Sequence, residues 1–388
     1  MSMIVGAIMN CKGCDRVIYF DNAASTKPSK KVVDKLIDSL SYYGNPSSLH
    51  GMGVDARCEI VNAKKIIAER LKCETNELFF TSGATMSNNL FIRGFLSANP
   101  KGRLIISAIE HDDIILLADY LDSIRGDGWV YRIGVDKGGR LDIDALLDAL
   151  SLTDDVPTLV CIQWANGECG IIQDMEKISK IVHSFDNAYL YTDATQYIPY
   201  YKINLGELHI DGLGMSGQKI NCIKGTGLMY VRKGTPINSI IFGKQGLIGG
   251  TENVFGIAAL GTAFEELDYE NNEIYQKRNT LIDELRPYGT LIGAIDPRLP
   301  NNVYIHFNSP YDGDYWVASL NEFGICASSG SACSSGSDEP SHVVTAMGYP
   351  ADVANSCIRF TLSKDNTIEE IHEVVDIVKG ILKTMEDT

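Results

Sequence analysis

The stretch DGLGMSGQKINCIKGTGLMYVRK, residues 211–233, decides the fold prediction because it joins two strand-like runs through a lysine. The runs DGLGMS and GLMYVRK are apolar and short, as strands in a buried sheet usually are. Glycines lie on either side of Lys219, and a lysine seldom occupies a buried connection between strands. We therefore expect Lys219 to serve a chemical purpose.

Strand-like and helix-like stretches alternate between about residue 28 and residue 260. Apolar runs such as RLIISA (103–108), TLVCIQW (158–164) and AYLYTD (188–193) predict strands, and MEKISKIVHSF (175–185) predicts an amphipathic helix. Near-continuous apolar strands that alternate with helices are typical of a mostly parallel sheet covered on both faces. The sequence therefore predicts an α/β fold.

The pattern changes after about residue 260. One long helix is predicted around residues 256–285, followed by short strands and a last helix from Thr367 to about Met385. This part indicates a smaller α+β domain. We expect a large domain at 26–262 and a small domain formed by 1–25 and 263–388.

Composition excludes several classes of partner. The chain has 388 residues, a formal net charge of -16 and no cluster of Lys and Arg, so neither nucleic acid nor an acidic membrane surface is an expected partner. No apolar run approaches the roughly 20 residues that span a bilayer. We expect a soluble, cytoplasmic protein.

The ten cysteines are scattered, and several lie in apolar runs, as is typical of reduced cytosolic thiols. Cys11 and Cys14 form a CxxC motif without a second pair at metal-binding spacing. The sequence therefore predicts no metal site.

Polar motifs follow several of the predicted strands. FTSGATMSNN (80–89) leads from a strand into a helix start, which is equally typical of an anion site and of a capped helix without a ligand. Asp193 ends an apolar strand, where a carboxylate either faces a ligand crevice or caps a turn. His111 follows another strand, where a loop histidine of no special function is the alternative.

A buried lysine favours its neutral form, which is a nucleophile able to form a Schiff base. Together, Lys219, Asp193 and the anion site match what pyridoxal 5'-phosphate requires: an amine for its aldehyde, a carboxylate for its ring nitrogen and a helix start for its phosphate. Separately, Cys333 lies within ASSGSACSSGSDEPSH (327–342), a segment rich in Ser and Gly, where either a reactive thiol or a harmless surface cysteine is expected.

With these motifs in place, the sequence resembles the cysteine desulfurases of the NifS/IscS kind, a class V branch of fold-type-I pyridoxal-phosphate enzymes. The motifs that carry the resemblance come in the family's order from about residue 18 to the end: IYFDNAAST (18–26), GNPSSLHGMG (44–53), FTSGAT (80–85), IEHDD (109–113), NGECG (166–170), TDATQ (192–196), SGQK (216–219), GGTENV (249–254), SSGSAC (328–333), PSHVVTAMG (340–348) and IRFTLS (358–363). The resemblance implies a mostly parallel seven-stranded sheet in the large domain.

The resemblance also implies a role for each site residue. Lys219 would hold pyridoxal phosphate as a Schiff base, Asp193 would pair with its ring nitrogen, and Gln196 would bond its phenolic oxygen. His111 would stack on the ring and serve in catalysis, and Cys333 would accept sulfur from L-cysteine as a persulfide. Thr85 and Ser216 would bind the phosphate, as would Thr251 from the second subunit of a homodimer. Ala84 and Gln218 would also contact the cofactor, and the implied substrate-binding residues are Asn22, Asn166 and Arg359.

Several positions depart from the family's pattern. Gly167 replaces an expected Asn that faces the ring, and Gln218 replaces a histidine. Met86 stands where an acidic residue is usual, and Gln245 and Ile248 stand where arginines are. We expect cofactor binding to survive these changes, whereas the loss of a donor at Gly167 is expected to weaken binding of L-cysteine.

Three functions follow from this interpretation. The favoured one is a desulfurase that passes sulfur to a protein acceptor such as an iron–sulfur scaffold, or that supplies sulfur for thiolation reactions. The second is another class V activity on a small amino acid: a selenocysteine lyase, a β-lyase or an aminotransferase-like enzyme. The third is a catalytically weak paralogue that serves as a partner-binding scaffold.

Overall fold

The computed structural model describes residues 17–153, 155–243, 246–330 and 339–386. Its strands are β1 (Ile18–Tyr19), β2 (Leu78–Thr81), β3 (Arg103–Ser107), β4 (Val130–Ile133), β5 (Thr158–Cys161), β6 (Ala188–Asp193), β7 (Gly212–Ser216), β8 (Gly227–Val231), β9 (Gly289–Leu291), β10 (Asn302–Phe307), β11 (Ile325–Cys326) and β12 (Cys357–Thr361). Its α-helices are α1 (Lys30–Ser39), α2 (Gly51–Leu71), α3 (Ala84–Ala98), α4 (Asp112–Arg125), α5 (Ile143–Leu152), α6 (Met175–Val182), α7 (Val254–Glu265), α8 (Asn272–Leu285), α9 (Gly313–Glu322), α10 (His342–Ala346), α11 (Ala351–Asn355) and α12 (Ile368–Glu386).

The central sheet has seven strands in the order β2-β8-β7-β6-β5-β3-β4. Strand β8 is antiparallel to both of its neighbours, and the pairs from β7 to β4 are parallel. The predicted mostly parallel seven-stranded sheet is confirmed. Since parallel strands end at the same edge, the residues after β3, β5, β6 and β7 come together there.

Both faces of this sheet are covered, as the apolar strands predicted. Along β3 the side chains alternate: Ile105 joins the apolar cluster on one face, and Leu104 and Ile106 join the cluster on the other. Helices α3 and α4 cover the second face with residues such as Phe91 and Leu117. Burial on both faces explains why the middle of β3, residues 104–106, is entirely apolar while its polar residues lie at the two ends.

A second apolar core lies in the C-terminal part of the chain. The antiparallel sheet β12-β10-β9 contributes Phe307 and Phe360, and Trp316 and Val374 pack against it from helices α9 and α12. Phe20, from the N-terminal part, belongs to the same cluster. We retain as a proposal the division into 26–262 and 1–25 with 263–388, which this separate packing supports.

The single helix predicted around residues 256–285 is wrong, because the structure divides it into α7 and α8. Within the break, Asp268 Oδ1 accepts a hydrogen bond from the backbone N of Glu270 at 3.0 Å. Such local bonds give the backbone an alternative to the helix. Asn271 Nδ2 then donates to the backbone O of Tyr200 at 2.6 Å, which holds the break against the rest of the chain. In the described part of the chain, no helix is both long enough and apolar enough to cross a membrane.

Candidate active site

Lys219 ends a short 3-10 turn, Gly217–Lys219, that directly follows β7. Gly217 is required there, since a Cβ at this position would lie 2.3 Å from Thr226 Oγ1. The Lys219 Nζ donates to the backbone O of Ala23 and to that of Ala24, both at 2.6 Å. Lys219 does lie in a connection between two strands, as predicted from the sequence, but it is half-buried and Asn221, Lys224 and Gly225 of the same connection are exposed. Its amine is held in a defined position.

The amine lines a cavity of about 220 Å³ at the carboxyl edge of the parallel strands. Most of the site residues predicted from the sequence line the same cavity: Ala84, Thr85, His111, Asn166, Asp193, Gln196, Ser216, Gln218, Lys219 and Arg359. They come from segments as far apart as residues 84 and 359, so the fold brings together the residues that sequence reasoning grouped.

Asp193 lies at the end of β6 with 8% of its surface exposed. Its Oδ1 accepts from the backbone N of Thr195 at 2.9 Å, and its Oδ2 accepts from Asn88 Nδ2 at 3.0 Å. These donors hold the carboxylate in place at the cavity wall.

Sequence reasoning missed Asn88, although it is fully buried behind Asp193. Its Nδ2 also lies 3.0 Å from Asp113 Oδ2, and its Oδ1 accepts from the Tyr191 hydroxyl at 2.6 Å. The sequence signal for Asn88 was weak, because two adjacent asparagines in the first turns of a helix ordinarily indicate a face exposed to solvent.

The start of α3 approaches the end of β7 closely. The backbone N of Ala84 donates to Ser216 Oγ at 2.7 Å, and a Cβ on Gly227 would lie 2.5 Å from Gly83 Cα. This packing places the first N–H groups of a 15-residue helix at the cavity. Free N–H groups at a helix start favour an anion.

His111 caps helix α4 and lines the cavity with 46% of its side chain exposed. Its Nδ1 lies 2.8 Å from Asp113 Oδ1, which orients the ring. Gln196 also lines the cavity, and its Nε2 donates to the backbone O of Ala23 at 2.9 Å.

Glu110 is a second cavity residue that sequence reasoning left without a role. It is fully buried, and its Oε1 accepts from Ser107 Oγ at 2.6 Å and from the backbone N of Gln163 at 2.9 Å. Its Oε2 is buried with no hydrogen-bond partner among residues 17–153, 155–243, 246–330 and 339–386. Burial raises the pKa of Glu110 to about 8.

Arg359 lies on β12 with 4% of its surface exposed. Its Nη2 is 3.0 Å from Asp21 Oδ1, and its Nη1 donates to the backbone O of Gly167 at 2.9 Å. The Nε is buried, and the described residues offer it no acceptor. The guanidinium is therefore fixed at the cavity wall from two sides.

The side chains of Asn22 and Asn166, which were predicted to bind substrate, mainly form hydrogen bonds to backbone groups of the chain. Asn22 Nδ2 donates to the backbone O of Thr361 at 2.8 Å, and Asn22 lines a neighbouring cavity that also contacts Lys219. Asn166 Oδ1 accepts from the backbone N of Glu168 and of Cys169, both at 2.8 Å. Their roles in substrate binding stay predictions.

Thr251 lies apart from these residues. It lines a second cavity of about 410 Å³, together with Met86 and Ile248, two of the positions that depart from the family's pattern. Of the other singled-out positions, Cys11, Cys14, Gln245 and Cys333 fall outside the described residues.

The residues that flank the Cys333 segment are held beside the cavity. The backbone N of Arg359 donates to the backbone O of Ser328 at 2.7 Å, and Ser341 Oγ donates to Glu168 Oε2 at 2.6 Å. His342, which sequence reasoning did not single out, lines the cavity and lies with Nε2 2.9 Å from the backbone O of Glu110.

Comparisons with known proteins agree with this geometry. The aminotransferase class-V family matches residues 18–374. The cysteine desulfurase IscS of Methanosarcina thermophila is 37% identical over 397 residues, with 98% of this chain and 96% of that protein covered. The cysteine desulfurase NifS of Azotobacter vinelandii is 36% identical over 379 residues, with 94% and 92% covered.

Solved structures show the same fold. A NifS-like protein superposes with a TM-score of 0.86 at 31% identity and covers 95% of this chain and 100% of its own. SspA in complex with cysteine superposes with a TM-score of 0.78 at 31% identity and covers 89% and 98%. The predicted fold and the predicted resemblance are confirmed. The chain belongs to the aminotransferase class-V family.

Proposed function

We propose that this protein is a pyridoxal-phosphate-dependent cysteine desulfurase, which converts L-cysteine to L-alanine and transfers the sulfur to Cys333. The observation that carries the proposal is that the Lys219 amine and the Asp193 carboxylate line one cavity at the carboxyl edge of the sheet. Relatives named cysteine desulfurase match nearly the full chain, and a related structure contains cysteine.

The residues present fit pyridoxal phosphate. Gln218 Oε1 and Thr195 Oγ1, both on cavity residues, are buried without a hydrogen-bond partner among the described residues, as expected of groups that await a ligand. Lys219 would hold the aldehyde, Asp193 the ring nitrogen, and the start of α3 the phosphate. When bound, the cofactor supplies an electron sink for charge that develops at the substrate Cα.

Lys219 performs the proton transfers in this scheme. The carbonyls of Ala23 and Ala24 hold its Nζ at the cavity, and a neutral Nζ accepts the Cα proton of L-cysteine. Arg359 orients the substrate carboxylate, because its guanidinium is anchored by Asp21 and the backbone of Gly167.

Cys333 completes the reaction as a thiolate. The Cβ–S bond of L-cysteine breaks, the released sulfur forms an S–S bond with Cys333 Sγ, and protons add at Cβ and Cα to give L-alanine. The carbon skeleton is reduced by two electrons and the sulfur atoms are oxidised by two. The anchoring of Ser328 and Ser341 beside the cavity supports this assignment.

A homodimer in the cytoplasm is part of the proposal. Thr251 lies outside the Lys219 cavity of its own chain, in line with a phosphate contact to the other subunit. Exposed apolar side chains on and near α1 and α2, such as Ile37, Tyr43 and Leu49, support a second copy as the occupant of that surface. The persulfide would pass to a protein acceptor such as an iron–sulfur scaffold.

A second class V activity is favoured by one observation, the absence of a side chain at Gly167. Gly167 lies beside Gln196, since a Cβ added at Gly167 would be 3.3 Å from Gln196 Nε2. A site with one donor fewer discriminates less between small amino acids. Selenocysteine lyase, β-lyase and aminotransferase-like activities are the alternatives.

The deciding experiment incubates the holoenzyme with L-cysteine and a reductant, and measures sulfide and alanine together. A desulfurase gives equal yields of both, and Cys333→Ala abolishes sulfide release. Full turnover of L-cysteine by Cys333→Ala, or pyruvate and ammonia in place of alanine, contradicts the proposal and favours the second activity.

A further inference from the structure

Asn88 is fully buried, and its amide group contacts two acids at once. Its Nδ2 lies 3.0 Å from Asp193 Oδ2 and 3.0 Å from Asp113 Oδ2. An amide NH2 group has two hydrogens, so one N–H can point to each carboxylate. The Oδ1 accepts from the Tyr191 hydroxyl at 2.6 Å, which fixes the side of the amide that carries the donors.

The two acids come from different elements. Asp193 ends strand β6, and Asp113 lies in the first turn of helix α4. Because both Oδ2 atoms contact the same nitrogen, they lie within about 6 Å of each other. Two carboxylates at this separation repel each other, and the N–H donors of Asn88 offset that repulsion. Asn88 therefore holds together two groups that would otherwise move apart.

Asp113 extends this contact to His111. The Nδ1 of His111 lies 2.8 Å from Asp113 Oδ1, and the Asp113 side chain is only 7% exposed. Side-chain contacts therefore run from His111 through Asp113 and Asn88 to Asp193. The first and last residues of this series line the cavity, where His111 is expected to stack on the cofactor ring and Asp193 to pair with its nitrogen.

Helix α3 relates this amide to the predicted anion site. Asn88 follows Ala84, the first residue of α3, by four residues, which is about one turn or about 6 Å along the helix axis. The helix is attached to the sheet, since Ser87 Oγ donates to the backbone O of Leu228 at 3.0 Å. One helix thus carries both the N–H groups expected to bind phosphate and the amide that holds Asp193.

Strand β7 leaves space for the amide at Gly214. A Cβ at this position would lie 2.7 Å from Asn88 Oδ1 and would also collide with the Tyr191 hydroxyl. Any other residue at position 214 would therefore displace Asn88 or Tyr191. The need for this space explains a glycine in the middle of a buried strand, where glycine is otherwise unfavourable.

We propose, as an extension that rests on the proposed function, that Asn88 is a positioning residue for pyridoxal phosphate. It fixes the Asp193 carboxylate relative to His111 and to the start of α3. The contacts to the ring nitrogen, the ring face and the phosphate then keep a set spacing. Asn88 is therefore required for tight cofactor binding, although it lies behind the cavity wall.

The test is a titration of the full chain, freed of cofactor, with pyridoxal phosphate. We expect Asn88→Ala to raise the Kd at least about fivefold, because a hydrogen-bond donor to a buried charge is lost. Asn88→Asp should raise the Kd further, since it keeps the shape of Asn88 but replaces the donors with a third carboxylate. Asn99→Ala is the matched control and should leave the Kd unchanged, because Asn99 follows the far end of α3, where its Nδ2 donates to the backbone O of Phe95 at 2.9 Å.

Two further measurements separate positioning from a merely structural role. With saturating cofactor, Asn88→Ala should lower kcat for L-cysteine and change KM less than about twofold, because Arg359, the expected partner of the substrate carboxylate, is anchored by Asp21 and Gly167 instead. In an Asp193→Ala background, Asn88→Ala should raise the Kd of the cofactor less than about twofold, because its effect passes through Asp193.

Tyr191→Phe covers the case in which the Asn88 variants do not fold. It removes the donor to Asn88 Oδ1 and keeps the ring contact with Phe91, whose centroid is 4.5 Å away. We expect it to raise the Kd about two- to fivefold. A wild-type Kd in Tyr191→Phe and in every Asn88 variant that folds overturns the proposal, and so does an undiminished effect of Asn88→Ala in the Asp193→Ala background. A wild type that binds no pyridoxal phosphate instead overturns the proposed function itself.

Discussion

Strands β6 and β7 carry a buried acid at each end of their shared ladder, and the two acids differ in what surrounds them. Asp193, at the carboxyl end, receives hydrogen bonds from an amide side chain and a backbone N–H and faces an open cavity. Asp211, at the amino end, faces two imidazoles and a backbone N–H. The first arrangement leaves room for a ligand with its own cation, whereas the second is completed by contacts within the chain.

Lys219 gives the largest expected effect at the carboxyl end. We expect Lys219→Ala to lower alanine formation by at least about 10³-fold, since both cofactor attachment and proton transfer are lost. Lys224→Ala, at an exposed position just after the same turn, should retain activity. The measurement is alanine release together with borohydride labelling. Labelling of Lys219→Ala at another side chain would contradict the assignment.

Replacing Asp193 and Asp211 in turn by Asn distinguishes the role of the acid at the carboxyl end from the role of the acid at the amino end. Asp193→Asn should lower kcat/KM about 10- to 100-fold, which corresponds to losing a charged partner worth about 1.5–3 kcal/mol. Asp211→Asn should instead lower the free energy of unfolding by a similar amount with kcat nearly unchanged. Activity assays and urea unfolding of both variants test this contrast. Equal losses of activity would show that the two acids act as one unit.

Glu110 makes the carboxyl end sensitive to pH. Its pKa is about 8 in the folded protein, compared with 4.5 for an ordinary Glu, so the folded state binds an extra proton between these values. Stability therefore falls as pH rises from about 4.5 to 8, by up to about 5 kcal/mol.

We expect Glu110→Gln to remove this dependence and to be more stable than wild type at pH 8 or above. Urea unfolding at pH 5, 6.5 and 8 measures the difference between the two proteins. Parallel stability curves for both would show that Glu110 titrates normally.

Gly167 gives the smallest expected effect. Adding a Cβ places it 3.3 Å from Gln196 Nε2, so Gln196 has to move by a few tenths of an ångström. We expect Gly167→Ala to lower kcat/KM for L-cysteine about two- to fivefold, or about 0.5–1 kcal/mol. Gly225→Ala is not a suitable control, because the φ of Gly225 is +79°. Gly51→Ala is suitable, since a Cβ there meets no atom within 4 Å.

The α/β class, the strand-end position of Asp193 and the position of Lys219 between two strands were all readable from the sequence, because strand burial and turn glycines leave local signals. The same is true of the residues grouped at the cavity, since the motif order matches a known family. The break between α7 and α8 was missed, although Asp268 and Asn271 are weak helix formers. The bond from Asn271 to the backbone O of Tyr200, which holds the break, joins segments far apart in the chain and leaves no local signal.

The sequence by itself therefore determined the fold class, the cofactor chemistry and most residues that meet at the cavity. Only the tertiary structure placed Asn88 behind Asp193, left Glu110 Oε2 without a partner among the described residues, and brought His183 to Asp211. The physical reason is that hydrophobic periodicity acts over a few residues. The position and pKa of a buried polar side chain depend on neighbours from distant parts of the chain.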